Sequence, residues 1–126
     1  MTIEALKAIQ SGMAALGLNY AFARWEGEPV DQYWVGDYQE TPAVSEDWLQ
    51  ETTFNLTGHT RGSWLELETA KEKIENYFNR ISGKTVIAAN GTAVAIFYER
   101  SLVIPTLDAE LKRMEINLLI KEWKVN

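Results

Sequence analysis

No cysteine occurs among the 126 residues, which removes disulfide frameworks, thiol nucleophiles and cysteine-bearing zinc sites together. Histidine is nearly missing as well. His59 stands alone, so HExxH pairs and other paired-imidazole metal sites are excluded, and no metal or cofactor is expected. Three prolines and eight glycines form no low-complexity segment, and no internal repeat is visible. No apolar run approaches the roughly 20 residues of a membrane span. The opening Met1, Thr2, Ile3, Glu4 lacks the basic start of a secretory signal, so a cytosolic protein without membrane contact is expected. In that setting Asn55-Leu56-Thr57 and Asn90-Gly91-Thr92 read as strand and turn, not as glycosylation acceptors.

Positive charge is scarce too. Twelve Lys and Arg against 18 Asp and Glu give a net charge of -6, which argues against a protein built to grip phosphate backbones. Between Trp25 and Thr60 there is no Lys or Arg, while Glu26, Glu28, Asp31, Asp37, Glu40, Glu46, Asp47 and Glu51 are acidic. From Arg100 onward the balance reverses mildly, through Lys112, Arg113, Lys121 and Lys124. A solvated acidic loop accounts for this asymmetry, and so does head-to-tail self-association.

What is present is one globular domain over residues 1–126, 46% hydrophobic and 24% charged, long enough to bury a core without staples. Ile3, Leu6, Ile9, Met13 and Leu16 recur at helical spacing between Thr2, a cap, and Gly17, a stop. Asn19 to Trp25 and Gln32 to Tyr38 predict two antiparallel strands around Gly27 and Pro29, and Thr52 to His59 predicts a third. Ser63 and Glu66 form a capping box for a second helix, whose stripe is Leu67, Ala70, Ile74, Tyr77, Phe78 and Ile81 and whose end falls at Ser82-Gly83. Asn90-Gly91 predicts a type I′ hairpin between Thr85–Ala89 and Thr92–Tyr98. Both faces of that second strand are apolar, which implies cover on both sides.

The tail holds two signals. Asp108 to Lys112 has helix-former composition, whereas Met114, Ile116, Leu118 and Ile120 alternate strictly, and the alternation predicts a long strand. Trp123 and Val125 fall on the other parity, so a bulge is expected near Lys121 and Glu122. The sum is an α+β two-layer sandwich: two amphipathic helices on one face of a mostly antiparallel sheet of about five to six strands.

Chemistry is harder to find. Asp31, Asp37 and Glu40 flank Tyr33, Trp34 and Tyr38, a combination that suits a carbohydrate or peptide subsite if the residues converge. Ser45 and Ser63 lie outside any nucleophile elbow, and Gly58 and Gly62 outside any phosphate-binding loop, so His59 reads as a polar strand residue. No catalytic residue is assigned. Trp64, Tyr77, Phe78 and Phe97 read as packing, while Trp48, in a polar connection, reads as a cap over the sheet or an anchor for a partner.

Phe54-Asn55-Leu56-Thr57-Gly58-His59-Thr60-Arg61-Gly62-Ser63, followed by Glu68, Lys71 and Ile74, resembles small structural proteins of long-tailed bacteriophages and prophages. So do Tyr33 to Tyr38 with Ser45, Glu46 and Asp47, and the closing run Leu111 to Leu118 with Lys121 to Val125. The class resembled is the tail terminator, or tail completion and head-to-tail joining, family. That resemblance implies a sheet with helices packed on it and no enzymatic activity. It also implies a ring, usually of six subunits, that caps the tail tube and meets the head connector. The neighbouring expectations are another connector or minor tail component, or a monomeric peptide or small-molecule binding module on Tyr33, Trp34 and Tyr38. The expected partners are copies of the chain, tail tube and head connector, with DNA passing unbound; the expected location is the virion tail or host cytoplasm. The expected contact residues are Glu46, Asp47 and Trp48 on one surface, with Arg113, Lys121 and Lys124 on the complementary one.

Overall fold

The structure, a computed structural model, describes residues 1–40 and 49–123. Helix α1 spans Ile3–Ala15 and begins where the Thr2 side chain accepts from the Ala5 N–H; Gly17, at φ 71°, follows its end. Strand β1 is Tyr20–Phe22, β2 Gln32–Gln39 and β3 Leu49–Thr60. Helix α2 covers Trp64–Tyr77, and β4 (Lys84–Ile87), β5 (Ala93–Ile104) and β6 (Lys112–Trp123) complete the chain.

The six strands form one sheet in the order β1-β2-β3-β6-β5-β4. Every pairing is antiparallel except the first. β1 runs parallel to β2, with Tyr20 opposite Trp34 and Phe22 opposite Gly36, so the expected antiparallel pair is corrected. The physical reason lies at Ala23. Its φ is 72°, and the Arg24 N–H donates to the Phe22 carbonyl, a γ-turn of the rare positive-φ form that carries the chain away from a hairpin return.

Both helices lie on one face, as the α+β reading requires. Ile9 and Met13 of α1 and Leu67, Ala70 and Ile74 of α2 share one buried cluster with Trp34, Phe54, Leu56, Ile96, Met114, Ile116, Leu118 and Ile120. Gly12 lets the helices meet, because a Cβ there would stand 2.7 Å from Phe78 Cζ and 2.8 Å from Tyr77 Cε1.

Four further expectations are corrected. Helix α2 ends at Tyr77, with Phe78 as its cap, and Ile81 in the following turn is 89% exposed. The capping box is half made: Ser63 accepts from the Glu66 N–H, while the Glu66 carboxylate accepts from the Thr60 hydroxyl. In the hairpin Asn90 keeps negative φ, and only Gly91 is positive, at 90°. Gly91 N–H donates to Ala88 and Ala88 N–H to Thr92, which is a three-residue loop, not a type I′ turn. The bulge falls at Glu99 in β5, whereas β6 runs in register through Trp123 against β3.

The change of apolar parity in β6 has a different cause. Glu122 points into the core side and is fully buried, and both its carboxylate oxygens accept from the Thr2 N–H, at 3.1 and 3.3 Å. A carboxylate at a helix N-terminus meets free N–H groups and the positive end of the helix dipole. Trp64, expected in the core, is 39% exposed at the start of α2.

Candidate functional site

Strand alternation sends every second side chain to the face that carries no helix among the described residues. The strand registers align these side chains in rows. One row reads Tyr33, His59, Arg113, Ile104 and another Asp37, Asn55, Asn117, Arg100. A third reads Gln39, Thr53, Leu119, Phe97. Among the described residues, cover on both sides of β5 is therefore not supplied by a second layer; Phe97 is shielded in part by its neighbours, with Lys121 Nζ 5.6 Å from its ring centroid.

The second row is a continuous polar chain. Arg100 Nε donates to Asn117 Oδ1 at 2.8 Å, Asn117 Nδ2 to Asn55 Oδ1, and Asn55 Nδ2 to Asp37 Oδ1 at 3.1 Å. Four strands are thereby tied by side chains from a guanidinium to a carboxylate, and Asn117 is buried at its centre. Asp37 is consumed in this chain. Glu40 leaves β2 on the opposite side and accepts from the Thr52 hydroxyl at 3.3 Å, so the two carboxylates do not converge on a subsite.

The first row borders a cleft of about 470 Å³, lined by Trp25, Tyr33, Thr57, His59, Ile104 and Arg113 among others. Trp25 stacks on Tyr33 with ring centroids 5.7 Å apart, and Tyr33 on His59 at 4.7 Å and 15°. His59 is no isolated strand-end polar group, since it is the inner ring of this stack and faces Arg113 across the strands. Burial, and then the charge of Arg113, hold its imidazole below the ordinary value of 6.5. The sequence signal for this cleft was period-two spacing on β2, β3 and β6; the pairing of β3 with β6, remote in sequence, carried the rest.

Of the six expected contact residues, Arg113 and Lys121 project from β6 on the helix-free face. Glu46, Asp47, Trp48 and Lys124 lie outside the described residues. Tyr33, Trp34 and Tyr38 are not brought together. Trp34 is fully buried under the helices and Tyr38 packs against the same core, while Tyr33 lies on the other face.

Among the described residues no three His, Asp or Glu side chains gather as a metal site, and no helix is long and apolar enough to cross a membrane. No family model and no curated protein matches the chain.

Proposed function

We propose that this chain is a non-enzymatic assembly protein that joins copies of itself through the helix-free face of its sheet, as a tail terminator ring does. The observation that supports this reading is the composition of that face. Leu119, Phe97, Leu102 and Ile104 alternate there with Arg113 and Lys121, and Asp37, Glu51 and Glu115 share the face, so it is an apolar surface bearing charges of both signs. Faces of this kind are covered by partners of complementary charge. The acidic stretch that includes Glu46 and Asp47 supplies a complement for Arg113 and Lys121 within the same sequence, so one copy offers its acidic segment to those two cations on the next. A heterologous contact of this sort closes into a ring when its rotation allows.

The role at the tail is tested by polymerising a tail-tube protein with and without this chain. Tubes of limited length, with added density at one end under the electron microscope, are expected; tubes of unchanged length and bare ends contradict the reading.

A further inference from the structure

We propose that the cleft between β2, β3 and β6 on the helix-free face is a carboxylate-binding site, with Arg113 and His59 as its hydrogen-bond donors. Arg113 Nε and His59 Nδ1 are both buried, and neither has a hydrogen-bond partner among the described residues. They belong to directly opposed residues of β3 and β6. A buried polar group left without a partner costs about 1–3 kcal/mol, more when charged, so two on directly opposed residues mark a place where a ligand completes the bonding.

The surrounding charges select the ligand. Arg24 is held by Glu26, and Asp37 is held by Asn55. Glu115 stands next along β6 on the same face. Arg113 is then the cation of the cleft with no ion pair among the described residues, and the two nearby acids oppose a dianion. A monoanion with two coplanar oxygens matches these donors: one oxygen takes Arg113 Nε–H and the other His59 Nδ1–H, in the tautomer that places the proton there. Thr57 and the Tyr33 ring complete the wall. The strained γ-turn at Ala23 bears on the same place, because it turns Arg24 and Trp25 onto the cleft. Backbone strain of this kind gathers at binding sites.

This site does not depend on the assembly reading, since a free carboxylic acid fills it as well as an acidic side chain of a second copy. His59 is the only histidine, so its ring proton gives one unambiguous NMR signal. At low protein concentration its titration is followed in chloride and in formate. Formate is expected to move the midpoint saturably to higher pH, because a bound carboxylate offsets the charge of Arg113. In Arg113→Gln the midpoint is expected to lie higher already in chloride and to ignore formate. A peptide of residues 40–51 replaces formate in a second arm. A response at far lower concentration than formate identifies an acidic segment as the source, and an equal response identifies a small acid. A midpoint that neither formate nor peptide moves, or an Arg113→Gln variant that responds like the natural protein, overturns the proposal.

Discussion

Glu122 shows how a single buried charge can be read as a fault in a pattern. Along β6 the apolar alternation fails at this residue, and from sequence the failure resembles a slipped register. The carboxylate is instead placed on the core side, where the start of α1 supplies the Thr2 N–H and a favourable dipole. That partner lies at the other end of the chain, which no local pattern contains. Glu122→Ala leaves the helix N–H without its acceptor and is expected to destabilise the fold by about 1–3 kcal/mol, read as a lower urea midpoint with an unchanged slope. His59 gives a pH-dependent prediction. Its folded-state pKa is lowered, first by burial and then by Arg113, so the unfolded chain takes up the proton more readily. Stability from this residue is complete above the unfolded value near 6.5 and declines as pH falls toward the folded value. Urea midpoints measured on both sides of about pH 6 are expected to show this acid loss in the natural protein and a smaller one in His59→Gln.

At the scale of elements, the helices and the long alternating strand were legible because each signals with its own period. Thr2 and Ser63 cap their helices where the sequence places them, and Met114 to Ile120 form the expected strand. The direction of β1 was not legible. Gly27 and Pro29 mark a reversal, yet a γ-turn at Ala23, a residue with no special liking for positive φ, sends the chain round to a parallel neighbour. The end of α2 was also misplaced, since Ile81 continues the apolar stripe in sequence while the helix has already stopped at the Phe78 cap. The contact between the helices rests on Gly12. Gly12→Ala improves helix propensity but drives a methyl into the Tyr77 and Phe78 rings. The overpacking is expected to dominate, with a net loss of about 1–3 kcal/mol in chemical denaturation. A variant at least as stable as the natural chain contradicts this packing account.

Over the whole molecule, both helices pack on one face of a six-stranded sheet, and among the described residues no helix covers the other. The sequence announced two amphipathic helices and hence one covered face. It could not announce the rows on the other face, because Tyr33, His59 and Arg113 become neighbours only through strand pairing across most of the chain. The charge asymmetry was legible, and the structure puts Arg113 and Lys121 on the same side of β6. The assembly account therefore turns on whether this face meets another copy. The most direct measurement is molar mass by light scattering across protein and salt concentration, for the natural chain and for Leu119→Glu. The account predicts a mass several times the 14.3 kDa of one chain for the natural protein. It also predicts a fall in that mass as salt screens the charged contacts, and a single-chain mass for Leu119→Glu. A natural protein that stays at 14.3 kDa under every condition, or a Leu119→Glu variant that assembles equally well, would contradict it.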